Sequence, residues 1–235
     1  MAQRAYSTGK IDLFGERESP MNTYLMSRRC GWAALAGFAL ILLAAPDAQA
    51  HHPMGGATPT TFWHGLLSGF GHPVIGLDHF AFVIAVGLAS LALPGRFMMP
   101  AAFLIATAAG TLIHIAGATL PVAEFAIAGS VAVLGLLLAM QIALPVWGYA
   151  AFFAVAGLFH GYAYGEAVFG AETTPVVAYL IGFVAIQYAI SVGAMEAVRA
   201  LARRDGVSQP VLVRVAGGVV AGIGIAILYA STGLA

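Results

Sequence analysis

The side chains here best equipped to bind or transfer something are histidines and carboxylates gathered in short runs. The first run is Gly71-His72-Pro73-Val74-Ile75-Gly76-Leu77-Asp78-His79, an H-x5-D-H pattern. The second is Phe159-His160-Gly161-Tyr162-Ala163-Tyr164-Gly165-Glu166, and His114 lies between the two. Imidazole and carboxylate together suit borderline divalent cations such as nickel, cobalt or zinc. On a straight helix His72 and His79 share a face but stand about 10.5 Å apart along the axis. Both can reach one ion only if the helix begins irregularly near His72-Pro73. Asp78 then serves either as a ligand beside His79 or as the acceptor that orients an imidazole.

The surroundings make these groups expensive. Of 235 residues 60% are hydrophobic and 9% charged, with ten basic residues balancing ten acidic ones. Soluble domains carry about 25% charged residues, so this is the composition of a polytopic membrane protein. A nearly uncharged body also excludes a nucleic-acid surface, which needs a basic field. Asp near the centre of a membrane helix costs about 2.5–3.5 kcal/mol, so its retention points to function. Tyr162 and Tyr164 read as belt or packing residues, Gln141, Gln187 and Glu196 as satisfied polar contacts ahead of an exit-route lining, and Glu124 and Glu172 as solvated loop acids.

The amino terminus reads as processing sequence. Arg28-Arg29, an apolar run from Trp32 to Ala45, and Ala48-Gln49-Ala50 make a secretory signal with cleavage after Ala50. The polar stretch before it suggests a start at Met21 or Met26. The single cysteine, Cys30, falls within the removed segment. The mature chain therefore has no thiolate for a soft metal, and any ion must be held by nitrogen and oxygen. It would begin His51-His52-Pro53, whose α-amine and imidazoles form a metal-capturing arm. The expected organisation is a signal over 1–50, a periplasmic arm with a short interfacial helix over 51–72, and a six-helix membrane domain over 73–235.

The fold expected is all-α, with six spans near 74–93, 98–120, 122–144, 146–168, 175–197 and 211–231. The segment from Pro59 to Gly69 is too short to cross and suits the interface, with Trp63 in the aromatic belt. A cleaved signal leaves the new amino terminus outside. Counting inward, Arg96, Arg199, Arg203, Arg204 and Arg214 all fall on the cytoplasmic side, as the positive-inside rule requires. His72, Asp78, His79, His114, His160 and Glu166 then come to similar depth in the outer half. The carboxy terminus is also periplasmic.

His72-x5-Asp78-His79 with Phe159-His160-Gly161-x-Ala163-x-Gly165 and a nearby Glu resembles the HupE/UreJ family of nickel permeases, accessory membrane proteins of hydrogenase and urease maturation. The resemblance covers essentially the whole mature chain. It implies import of Ni2+, or less often Co2+ or Zn2+, across the bacterial inner membrane, with no permanently bound cofactor and no enzymatic activity. By that resemblance His72, Asp78 and His79 are the metal residues of the first span, and His160 and Glu166 those of the fourth. Partners within the same expectation are the bilayer, further copies of the chain, and metallochaperones of the client enzyme. The chain departs from the pattern at two points. Tyr164 stands where many relatives carry a second His, and Glu166 lies one residue earlier than their Glu, so Glu166 and Glu172 are both candidates. The rival classes are a membrane haem protein using His79, His114 or His160, and an intramembrane metal-dependent enzyme.

Overall fold

The computed structural model describes residues 57–233. The expected signal peptide and the His51-His52 arm lie outside the described residues. Helices follow in the order α1 (Phe62–Ile75), α2 (Leu77–Ser90), α3 (Pro100–Ile115), α4 (Ala123–Ala139), α5 (Val146–Gly165), α6 (Thr173–Asp205) and α7 (Gln209–Ala230). A single 3-10 turn, Glu166–Val168, continues α5. Among the described residues there is no strand.

Three segments are long and apolar enough to cross a membrane: Val146–Val168, Thr173–Asp205 and Gln209–Ala230. The pair α1 and α2 taken together, bent by 82° at its break, has the geometry of a broken span, which would make a fourth, or of a re-entrant loop. The helices α3 and α4, with 16 and 17 residues, are apolar but shorter. Two expectations change in detail. The short segment expected from Pro59 to Gly69 does not end there: its helix begins at Phe62 and runs on through His72 to Ile75 with Gly65, Ser68, Gly69 and His72 buried. The fifth apolar stretch extends to Asp205, so the expected 199–210 loop shrinks to 206–208. An Arg199–Glu196 ion pair of 2.7 Å sits on this last part, and Gly206 (φ 66°) ends the helix in the left-handed conformation that glycine adopts at no steric cost.

The break between α1 and α2 has local causes. Pro73 lies inside α1 and has no N–H to give, which removes a helical bond from the last turn. Gly76 then takes ψ 110°, outside the helical range, while its N–H still bonds His72 O at 3.2 Å. The new helix is secured by the Asp78 carboxylate, which accepts the His79 backbone N–H at 2.8 Å. An acid in the first turn also suits the positive end of a helix.

Helix pairs pack through small residues, as membrane helices do when backbones approach closely. Gly65 and Gly69 of α1 back onto Pro175 and Tyr179 of α6, so these two run in the same direction. Likewise Gly157, Gly161 and Gly165 of α5 meet Phe103, Thr107 and His114 of α3 in order. Ala132, Gly135 and Ala139 of α4 meet Gly224, Ala221 and Gly217 of α7, which is antiparallel. The short α2 lies in the middle, packed against α4, α6 and α7. From Ala81 to Ser90 every residue but Ile84 is buried. It crosses α6 at Ser191, whose hydroxyl donates to Val83 O at 3.1 Å.

Candidate functional site

The bend does what a straight helix could not. His72, near the end of α1, and His79, in the first turn of α2, come to a ring-centroid separation of 5.9 Å. Gly76 permits this: a Cβ there would stand 2.7 Å from His79 Cδ2. From α5, which runs opposite to α2, Tyr164 lies against both rings at 5.0 and 4.4 Å, and His160 lies 5.0 Å from His79. All three histidines are buried, His160 completely. Phe82 stacks on His160 at 4.5 Å and Phe103 meets it edge-on. Asp78 is half-buried at the rim of this cluster.

Two hydrogen-bond chains hold the imidazoles. The Tyr179 hydroxyl of α6 is 2.9 Å from Tyr164 O, a carbonyl that can only accept, and 2.9 Å from His72 Nδ1. Its one proton goes to the carbonyl, so His72 donates from Nδ1. In the second chain His79 Nδ1 and His160 Nδ1 are 2.8 Å apart, and His160 Nε2 is 3.0 Å from Ser130 Oγ on α4. Both ring nitrogens of His160 are thus engaged by protein groups.

Of the residues singled out in the sequence, His72, Asp78, His79 and His160 come together. Of the other described candidates, Glu166 is near enough to His79 for its charge to be felt there, while Glu172 and His114 lie apart from the cluster. Glu166 is exposed in the 3-10 turn beyond α5, and Glu172 is exposed as the N-cap of α6. Glu124 is exposed in the first turn of α4. His114 packs against Tyr162 at 4.4 Å and Phe169 at 5.6 Å, and its buried Nδ1 has no hydrogen-bond partner. Among the described residues no group of three or more His, Cys, Asp or Glu side chains is arranged to hold a metal ion.

The sequence reading missed Ser130 and Tyr179 and undervalued Tyr164, which is fully buried with its hydroxyl unpartnered. A signal for Tyr179 was present. Tyr179, Phe183, Gln187, Ser191 and Met195 recur every fourth residue along α6, and all are fully buried. Polar members on one stripe of an apolar helix mark the face turned toward other polar groups. Gln187 donates to Phe183 O at 3.1 Å and leaves its buried Oε1 unpartnered. Gln141 and Glu196 are ordinary polar contacts, to Leu138 O and Pro210 O and to Arg199 respectively. Ser130 had no comparable sequence signal.

No solved structure matches this chain. The protein HupE of Rhizobium leguminosarum bv. viciae is 36% identical to it over 167 residues, which is 70% of this chain and 84% of that protein. The family model described as HupE / UreJ protein matches residues 39–227. That match takes in the His72–His79 bend and the Tyr164–Tyr179 bridge together with most of the bundle around them: the chain belongs to the HupE/UreJ family.

Proposed function

We propose that this protein is a permease of the bacterial inner membrane that imports a divalent transition-metal ion, Ni2+ above Co2+ or Zn2+, for maturation of a hydrogenase or urease. The observation that carries the reading is the 82° break at Gly76, which folds the two ends of H-x5-D-H onto each other. Although they are not arranged around a single point in this structure, His72, Asp78 and His79 are the cargo contacts. An imidazole pair with one adjacent carboxylate is a sparse donor set of the type borderline cations accept. Sparseness serves transport, because an ion held by few ligands is also released. Glu166 and Glu172, exposed beyond the histidine cluster, give a negative mouth, and His51-His52 give a capturing arm.

The opposed directions of α5 and α2, of α4 and α7, and the shared directions of α1 with α6 and α3 with α5 agree with six crossings and both termini outside. In that orientation Arg96, Arg199, Arg203, Arg204 and Arg214 lie at the cytoplasmic face. The sequence has no G-x-x-x-x-G-K-[ST] loop for nucleotide hydrolysis. Inward movement does not demand one. At about 100 mV, inside negative, two charges gain roughly 4.6 kcal/mol, enough for a concentration ratio on the order of 10³.

The test is uptake of labelled nickel into cells and into proteoliposomes with an imposed potential. Replacing His72, Asp78 or His79 by Ala should abolish saturable uptake while the protein still accumulates in the membrane. Wild-type rates in all three variants would overturn the proposal. Competition by cobalt, zinc and copper ranks the ions.

A further inference from the structure

His160 has the motif position of a metal ligand, yet its hydrogen bonds give it other work. The Ser130 hydroxyl carries one proton and has two neighbours, Ile127 O at 2.7 Å and His160 Nε2 at 3.0 Å. A carbonyl can only accept, and two oxygens 2.7 Å apart with no proton between them repel. Ser130 therefore donates to Ile127 O and accepts from His160, whose proton sits on Nε2. His160 Nδ1 is then a lone pair. The 2.8 Å contact to His79 Nδ1 needs one proton, and only His79 can supply it. His79 is accordingly protonated on Nδ1 and presents the lone pair of Nε2. No hydrogen bond among the described residues engages that nitrogen.

We propose that Ser130 and His160 are positioning residues: in sequence they fix the tautomer of His79 so that its Nε2 faces the transported cation, and His160 does not itself ligate the ion. The aromatic packing supports this division. His160 is fully buried between Phe82 and Phe103, while His79 retains some exposure. Metal-binding histidines elsewhere are fixed through their second nitrogen by a carboxylate or carbonyl. Here a neutral imidazole and a serine on a third helix take that part, and Asp78 is left to the His79 backbone and the cation. What that unengaged nitrogen is for rests on the permease reading; the tautomer assignment does not.

The experiment uses the full-length protein in lipid nanodiscs, with 15N- and 13C-labelled histidine and assignment by single replacements. Zn2+ is the diamagnetic probe. Wild type should show His79 as the Nδ1–H form and His160 as the Nε2–H form. Zn2+ should shift the Nε2 signal of His79 and leave the Nε2–H of His160 in place. Ser130→Ala should lose the fixed tautomers and raise the KM for nickel uptake about tenfold to a hundredfold, with the maximal rate nearly unchanged. Ser130→Thr keeps the hydroxyl and should restore both readouts. His160→Asn, whose side-chain oxygen replaces the Nδ1 lone pair, should outperform His160→Ala. The proposal falls if His79 carries its proton on Nε2, if Zn2+ displaces the His160 proton, or if Ser130→Ala behaves as wild type in both readouts. Predicted tautomers in a protein that moves no nickel would sink the permease reading alone.

Discussion

Removing one oxygen atom from α6 tests whether the bundle holds the histidines or merely surrounds them. In Tyr179→Phe the ring stays, and with it the packing against His72 at 6.3 Å and Phe183 at 5.4 Å. What goes is the hydroxyl that joins His72 Nδ1 to Tyr164 O, both at 2.9 Å. Interhelical hydrogen bonds inside membranes are worth about 0.6 kcal/mol on average and about 1.7 at most. Two of them give about 1–3 kcal/mol. At 1.4 kcal/mol per factor of ten, the KM for nickel would rise between about 5-fold and about 140-fold if all of it fell on cargo binding. Part is instead lost from the fold, because Tyr164 O belongs to the last turn of α5 and loses its partner. The expected result is therefore a KM raised about tenfold, a maximal rate within twofold, and a lower melting temperature in detergent. Concentration-dependent uptake of labelled nickel and a thermal melt measure both halves. A KM within twofold of wild type would refute the claim that Tyr179 fixes His72.

Other substitutions separate site from scaffold. Gly76→Ala places a methyl 2.7 Å from His79 Cδ2 and should cut nickel uptake at least tenfold while membrane levels stay normal, as read by uptake against immunoblot. Gly161→Val forces bulk into the backbone of Thr107, so overpacking of about 1–3 kcal/mol or more should appear as lost accumulation and a lower melting temperature. Asp78→Asn keeps an acceptor for the His79 N–H but removes the charge; saturable uptake should fall sharply in a protein that accumulates and melts normally. A periplasm-active reporter fused after Ala235 should be active, and one inserted beside Gly206 should be silent; the reverse pattern would invert the proposed orientation.

Much of the fold was legible because hydropathy is a statement about the solvent. The apolar stretches near 146–168, 175–197 and 211–231 correspond to long helices, and only the extension of α6 to Asp205 was missed, since Ala200–Ala202 continue a good helix despite the flanking arginines. The stretch near 74–93 hid a break that composition does not report. Pro73 and Gly76 each lower helical stability, but their joint effect depends on Asp78 accepting the His79 N–H in the first turn of a new helix and on α6 supporting α1 from outside the local sequence. His72, Asp78, His79 and His160, which the fold brings together, stood out in the sequence because ionisable groups in an apolar run are conspicuous. Ser130 escaped because a serine costs little in a membrane helix and leaves no trace in composition; Tyr179 was marked only by its place on the every-fourth-residue stripe of α6, which charge and hydropathy do not report. His114 illustrates the converse: an ionisable residue at the right depth whose ring turns to Tyr162 and Phe169 instead of the cluster.

Folding at Gly76 also settles how much bilayer this part of the chain can match. Straightened, Phe62–Ser90 would reach about 44 Å, well beyond the roughly 30 Å hydrocarbon thickness. Two arms of about 21 Å, deflected by 82° from straight, reach only about 32 Å end to end. A kink that assembles the histidines thereby removes a hydrophobic mismatch too, so relaxing it would push about 12 Å of apolar helix into water. Lipid thickness and site geometry are in this way mechanically tied: a thicker membrane should pull the two imidazoles apart, and a thinner one should press them together.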